Sequence, residues 1–253
     1  VIMFAFFATA LLGMPIAFAL GLASIVGLLI AGVDMNMLPQ RMMHAVNSFP
    51  LMSIPFFMLA GELMIKADIM VRLIEFANAF VGRVRGGLAH ATIISAAGLS
   101  TVSGAAVADA SALSGTLVPA LRKAYGLPFG AAVVAAAANL GPIIPPSVVM
   151  VVYATILYDV SVISLFIAGI VPGLLLAGAL LAVSFYLAWR RRFPMHGEAG
   201  LRLALRAFLP TVPALLVPVI ILGGILSGLS TVTEASAFAV VFAVAVGMLL
   251  YRT

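Results

Sequence analysis

The stretch Asn139-Leu-Gly-Pro-Ile-Ile-Pro-Pro-Ser147 lies inside an uncharged apolar run from Phe129 to Tyr158. A run of this length can cross a bilayer as one helix, which takes roughly 20 apolar residues. Pro142, Pro145 and Pro146 nevertheless fall in its middle. Each proline lacks an N–H and clashes with the carbonyl four residues earlier, so the carbonyls of Ala138, Gly141 and Pro142 lose their helical partners. The residues before the prolines are pushed away from helical geometry. We therefore expect extended backbone from about Gly141 to Pro146, with Ser147 capping the half-helix that follows. Such backbone survives at membrane depth only if it is buried in protein or lines a polar cavity. Freed carbonyls suit a small hard cation, and half-helix N-termini suit an anion. The plain structural alternative is a proline kink repaired by nearby hydroxyls and water. Three prolines accompanied by Gly141 and Asn139 favour a site.

The surrounding composition says what kind of chain carries this break. The 253 residues are 64% hydrophobic and 8% charged, with no polar stretch long enough for a separate soluble domain. This is the composition of an all-α, polytopic integral membrane protein. Cysteine is absent, which excludes disulfides and thiolate metal sites. The chain opens at Val1 without Met or a basic leader, and Arg252-Thr253 follow directly on an apolar stretch, so both ends read as cuts in a longer chain.

Spans are expected near 5–31, 49–65, 129–157, 161–189, 208–226 and 234–251. The segment from Gly87 to Leu121 is 35 residues long, too long for one span and too short for two, with Arg83 and Arg85 before it and Arg122 and Lys123 after it. A re-entrant hairpin opening to the cytoplasm, its tip near Ser100 to Ala106, resolves the conflict. With that hairpin, Lys66, Arg72, Arg83, Arg85, Arg122, Lys123, Arg190, Arg191, Arg192, Arg202, Arg206 and Arg252 fall on one side and only Arg41 on the other. Twelve of thirteen basic residues then mark the cytoplasmic face. The net charge of +5 is explained by orientation, and no nucleic-acid partner is implied. Residues 66–85 place Ile69, Leu73, Phe76 and Phe80 at helical spacing and read as an interfacial helix. The more basic 190–206 is expected to meet headgroups of the lipid bilayer.

The hairpin tip supplies a second polar cluster. Ser100, Thr101 and Ser103, the flexible Gly104 and an exposed helix start near Ala105 form a polar end at membrane depth. Ala96, Ser100 and Gly104 also follow a small-xxx-small pattern, so the arms can pack while the tip faces a cavity. Asp109 is the only acid in the hairpin and fits either a local role at a helix start or ion coupling. Thr231-Val-Thr-Glu234 reads as a capping box. Glu62, Asp34 and Asp159 fit interfacial or loop positions, and His44, His90 and His196 lack metal-ligand spacing. An intramembrane serine protease built on Ser103 is a remote alternative, because no histidine or lysine base occurs in a later span.

Three segments carry a specific resemblance: Val102-Ser-Gly-Ala-Ala-Val-Ala-Asp-Ala-Ser-Ala-Leu-Ser-Gly115, Pro119 with Lys123-Ala-Tyr-Gly126, and Ala135-Ala-Ala-Ala-Asn-Leu-Gly-Pro-Ile-Ile-Pro-Pro-Ser147. Together they resemble the large, DctM-like membrane subunit of TRAP transporters, the tripartite ATP-independent periplasmic systems of bacteria and archaea. Gly13-Met-Pro-Ile-Ala-Phe-Ala-Leu20 and Val232-Thr-Glu-Ala235 look like further landmarks. The resemblance implies an elevator fold of two inverted repeats in the cytoplasmic membrane, each with a hairpin and a broken helix. It implies a small four-helix membrane subunit and a periplasmic substrate-binding protein as partners, an organic acid (carboxylate) as substrate, and Na+ as coupling ion with no other cofactor. It also implies that the protein is not an enzyme. A binding-protein-independent sodium/carboxylate symporter is the alternative.

Carried onto this chain, the resemblance puts Na+ near Ser103, Gly104, Asn139, Gly141 and Pro142, with Ser100, Thr101, Ala105, Pro145 and Ser147 completing the sodium and substrate wall. The family's hairpin often reads Ser-Gly-Ser, whereas Ala105 can offer only its backbone. By this reading, 1–189 is the first repeat, 190–206 a basic cytoplasmic connector, and 207–253 the start of the second repeat. This would be only the N-terminal part of such a subunit, holding half of a site. Residues 1–253 reconstituted with the partner proteins should therefore give no sodium-dependent uptake, and uptake by that segment alone would contradict the division.

Overall fold

In a computed structural model, the described residues are 1–67, 69–157, 159–195 and 200–251. Helices dominate, and no strand occurs among the described residues. Two compact units divide the chain, Val1–Ser48 and Phe49–Thr253.

The first unit holds α1 (Ile2–Leu11), α2 (Ile16–Ala31) and α3 (Met37–Val46). The single span expected over 5–31 is thus two helices. Gly13 turns at φ 86°, and Pro15, which has no N–H to continue a helix, stands extended at the start of α2. The chain folds back here, since Ile2 Cδ1 lies 2.8 Å from where a Cβ on Gly27 would stand.

In the second unit a short 3-10 turn (Phe49–Met52) leads into α4 (Ser53–Lys66) and α5 (Ile69–Val81). There follow α6 (Gly87–Ser103), α7 (Ala106–Tyr125), α8 (Leu127–Ala138), α9 (Val148–Ile156) and α10 (Val162–Arg190). The last helices are α11 (Leu201–Leu226) and α12 (Val232–Ala245), which continues as a π-helical turn through Val246–Tyr251. Among the described residues, two helical segments are long and apolar enough to cross a bilayer unaided: Phe49–Lys66 and Val162–Arg190, of 18 and 29 residues. α10 ends at Arg190 and α11 begins at Leu201, within the 190–206 segment. His196 lies outside the described residues.

α6 is the hub. Twelve of its seventeen residues are buried, from Gly87 to Ser103, so the helix has no free face. Its small side chains (Ala89, Ala91, Ala96, Ser100) allow neighbours to approach closely, which is how helices associate where lipid removes the usual hydrophobic drive. One apolar cluster lies on the side of α7, α8 and α10, around Leu99, Leu113, Leu121 and Val134. A second joins α4, α9, α10, α11 and α12 through Phe57, Met64, Val151, Phe166 and Ile221. α5 buries Ile69, Leu73 and Ala77, while Phe80 stays exposed, so the expected apolar stripe is covered over part of its length. Thr211 ties α11 to this helix by donating to the carbonyl of Arg72 at 3.2 Å.

α6 and α7 form a helical hairpin. Only Gly104 and Ala105 separate α6 from α7, and the two arms return together, with the Leu88 N–H donating to the Tyr125 hydroxyl at 3.3 Å. The second arm runs to Tyr125 rather than Leu121, then reverses at Gly126 (φ 90°) into α8. α7 and α8 pack closely at Gly130, where an added Cβ would stand 2.8 Å from Leu121 Cβ and 3.4 Å from its carbonyl carbon. Leu121 is fully buried and has nowhere to retreat. Gly130→Ala should therefore cost about 1–3 kcal/mol, read as a lower melting temperature of the detergent-solubilised full-length permease.

Candidate functional site

The hairpin turn and the interrupted helix meet. Gly104 takes the left-handed conformation at φ 60°, closing α6, and Ala105 is extended (φ −137°, ψ 117°) as the residue before α7. The Gly104 carbonyl accepts a 3.2 Å hydrogen bond from Val148 N, the first N–H of the second half-helix. A Cβ at Gly104 would sit 2.5 Å from the Pro146 carbonyl oxygen and 3.2 Å from Ser147 Cα. Only glycine satisfies both the positive φ and this approach.

The interrupted segment is coiled rather than extended. Ile143 N and Ile144 N both donate to the Leu140 carbonyl, at 3.0 and 2.8 Å, and a series of turns runs from Asn139 to Pro146. The Pro145–Pro146 peptide is cis. The expectation of extended backbone over 141–146 is corrected by this local pairing, since Gly141 tolerates the turn that a bulkier residue before proline would resist. Of the three carbonyls expected to be free, Ala138 accepts from Gly141 N at 3.2 Å and Pro142 accepts from Ser147 Oγ at 2.7 Å. Only the Gly141 carbonyl keeps its lone pairs, among the described residues. Ser147 also caps α9, its hydroxyl accepting from Met150 N at 3.4 Å.

Beneath the turn lies a buried acid. Asp109 is 0% exposed. Ser100 Oγ donates to Asp109 Oδ2 at 2.8 Å, and Ser103 Oγ donates to Oδ1. The carboxylate thus joins the last turn of the first arm to the first turn of the second. A Cβ on Gly141 would stand 2.8 Å from Asp109 Oδ2 and 3.0 Å from the Ala105 carbonyl carbon, so the interrupted segment passes against the acid with no room for a side chain. From the other side α4 closes in at Gly61, where a Cβ would meet Ser103 Cβ at 3.2 Å.

The structure therefore brings together Ser100, Ser103, Gly104, Ala105, Gly141 and Ser147, with Pro145 buried beside them. Thr101 and Asn139 turn away: Thr101 Oγ1 donates to Gly98 at 2.6 Å, and the exposed Asn139 amide donates to Ala135 at 2.8 Å. Pro142 is half-buried, its carbonyl held by Ser147. One contributor, Gly61, escaped the sequence reading, and another, Asp109, was read there without its partners. Gly61 sits in an ordinary apolar helix with no local signal. Asp109 was visible as an acid at a helix start, but its two serine partners appear only once the hairpin closes. No group of three or more His, Cys, Asp or Glu side chains could hold a metal ion among the described residues.

The hairpin tip meets the broken helix, two stretches that carried the sequence resemblance, while Asp109 beneath them had no place among the residues that the resemblance assigned. Residues 3–253 match the family described as "Tripartite ATP-independent periplasmic transporter, DctM component". The chain belongs to this family. It is 40% identical to the C4-dicarboxylate TRAP transporter large permease protein DctM of Pseudomonas aeruginosa, over 92% of this chain and 55% of that protein. It is 35% identical to the sialic acid TRAP transporter large permease protein SiaM of Vibrio cholerae, over 95% of this chain and 57% of that protein. The 2,3-diketo-L-gulonate TRAP transporter large permease protein YiaN of Escherichia coli is also 35% identical, over 95% and 57%. The chain thus spans a little over half the length of these relatives. The family is one of transport proteins of the cytoplasmic membrane, and in this chain Ser103 donates to a carboxylate, not to a histidine or lysine base.

Gly104→Ala should cost at least about 2 kcal/mol, from left-handed strain plus the clash with Pro146. Gly115→Ala, on a part of α7 with open space around the glycine, should stabilise by about 0.5–1 kcal/mol. Thermal melts of the two full-length variants side by side check the pair.

Proposed function

We propose that this chain is the N-terminal part of a permease subunit in a sodium-coupled secondary transporter that imports organic acids handed over by a periplasmic binding protein. The observation that carries the reading is the docking of Gly104-Ala105 on the interrupted segment 139–147, with Asp109 buried under the contact. A discontinuous helix with oxygen-rich backbone facing a hairpin tip is how secondary transporters build ion sites near the bilayer midplane. The names of the relatives (C4-dicarboxylate, sialic acid, diketogulonate) support an acidic substrate and differ enough to leave the choice of acid to the binding protein.

Charge placement supports a hairpin that enters and leaves on the cytoplasmic side. Arg122 and Lys123 end α7, and Arg190 ends α10. These ends are neighbours, since the Arg191 guanidinium lies 5.9 Å from the ring centre of Phe129 near the start of α8. A single basic end of the bundle matches the positive-inside pattern. In this proposal the first repeat is the moving half of an elevator, a small four-helix membrane subunit serves as its partner, and Na+ binds at the tip through Ser103, Gly104 and Gly141.

Sodium chloride, but not potassium or choline chloride, should raise the melting temperature of the purified full-length permease. The gain should approach about 2.7 kcal/mol at a hundredfold excess over the dissociation constant. Uptake into proteoliposomes should require both a sodium gradient and the substrate-loaded binding protein. Uptake that persists without sodium sinks the coupling assignment, and uptake without any binding protein favours a simple symporter.

A further inference from the structure

Between α6, α8 and α10 lies a cavity of about 190 Å³ whose walls include Ile93, Phe129, Val133, Leu180, Ser184 and Leu187. Apart from the Ser184 hydroxyl, these side chains are apolar. We propose that the cavity is a slot for one acyl chain of an anionic glycerophospholipid of the cytoplasmic leaflet, with the phosphate held by Arg191 and the basic residues around it. The orientation proposed above supplies the leaflet; sodium coupling is not needed for it.

The spacing on α10 calls for an amphiphile. Leu180, Ser184, Leu187 and Arg191 recur at helical intervals and form one stripe. The first three line the cavity, and Arg191 stands about one turn beyond it. Arg191 is exposed, and its guanidinium lies 5.9 Å from the ring centre of Phe129, itself a cavity residue. The chain then turns at Arg192 (φ 51°), and the Phe193 ring packs 4.9 Å from that of Phe129 and 4.7 Å from that of Tyr125. This aromatic group keeps the guanidinium at the basic end of the slot. Its N–H groups stay available to a phosphate, which a planar guanidinium grips well.

Ser184 adds an independent sign of a ligand. It is 4% exposed, yet its hydroxyl has no hydrogen-bond partner. A helical serine or threonine ordinarily returns its proton to the carbonyl four residues back, as Thr92 does to Leu88 at 2.8 Å. Leaving a buried hydroxyl unpaired is costly. Water is a poor remedy, because an apolar cavity of about this size stays dry and takes an apolar guest. The ester carbonyls of a glycerophospholipid lie between its phosphate and its tails. They are acceptors, and along the stripe Ser184 lies between the cation at Arg191 and the apolar end at Leu180.

Charge and exposure favour a lipid over a further protein helix. Arg122, Lys123, Arg190 and Arg191 are exposed, and the sequence holds no acid from Ala110 to Tyr158 or from Val160 to Gly197. The end of α7 lies beside α8 here, since Arg122 N is 3.5 Å from where a Cβ on Gly130 would stand. A phosphate therefore meets cations from two helix ends and no like charge on those helices' nearby turns. On α10, Val183 at the cavity is exposed, and so are Tyr186 and Trp189 toward the basic end. Exposed Tyr and Trp at the end of a spanning helix mark the headgroup level. An apolar slot opening beside them faces acyl chains.

The test titrates dioleoyl phosphatidylglycerol or dioleoyl phosphatidylcholine into the full-length permease, purified and delipidated in detergent, and follows the melting temperature. In wild type, phosphatidylglycerol should act with a saturable midpoint at least about fivefold below that of phosphatidylcholine. Arg191→Gln should raise the phosphatidylglycerol midpoint about fivefold and leave that of phosphatidylcholine within about twofold. Ser184→Leu fills the slot and removes the unpaired hydroxyl, so without lipid it should melt at or above wild type, and its saturable response should vanish. If Ser184→Leu does not fold, Ala132→Phe, which fills the slot from α8, decides in the same way. Equal midpoints for the two lipids in wild type mean ordinary bilayer contact and overturn the proposal. A phosphatidylglycerol response unchanged in Arg191→Gln, or unchanged in the slot-filling variant, overturns it too. So does a response that disappears when the small membrane subunit is bound, because that protein then covers the face.

Discussion

Inside a bilayer a backbone N–H or C=O has no water to fall back on, and the second unit is arranged around that constraint. The interruption between α8 and α9 would leave unpaired groups in hydrocarbon if the chain around it were isolated. It persists because the hairpin turn is pressed against it: the Gly104 carbonyl receives Val148 N, and Ser147 serves both the Pro142 carbonyl and Met150 N. Gly61, Gly104 and Gly141 permit the contact by having no side chain where other atoms already stand. Packing and polar satisfaction are here one requirement. A methyl group at Gly104 would both strain the turn and separate the partners.

The same constraint explains why α6 stands at the centre. A helix whose tip must meet a broken segment on one side and α4 on another cannot keep a lipid-facing stripe, so its residues are small and buried. The large apolar side chains are displaced to the two flanking clusters, where Phe57 and Phe166 fill one and Leu113 and Leu121 the other. Polar side chains remain near the turn, and those of Ser100, Ser103, Asp109 and Ser147 each have a defined partner. Asp109 is the exception in charge rather than in hydrogen bonding. Its two acceptor positions are matched by Ser100 and Ser103, but no side-chain cation balances it among the described residues.

Much of the fold was legible because its signals are local. Proline spacing announced the break, and an apolar segment of the wrong length bounded by arginines announced the hairpin. Ser147 and the pair Thr231 and Glu234 announced two helix starts, and both caps form, with Thr231 N donating to Glu234 Oε2 at 2.8 Å. Other features resisted for equally physical reasons. Residues 5–31 read as one span because hydropathy is blind to a turn, yet Gly13 and Pro15 divide it into two helices. Proline geometry suggested extended chain over 141–146, but Leu140 supplies a carbonyl that coils it. Asn139 and Thr101 have suitable side chains, and their own helices claim them.

Residue type and spacing by themselves determined that this chain is helical, lives in a membrane, breaks one helix at Pro142 to Pro146 and reverses another near Gly104. Those properties depend on neighbours within a few positions, or on an apolar average that no distant contact can change. Which polar groups meet was decided only by tertiary structure. Ser100, Ser103, Asp109, Gly141 and Gly61 lie on four different elements, and what joins them is the close approach that glycine permits where a helix turn, a broken segment and α4 converge.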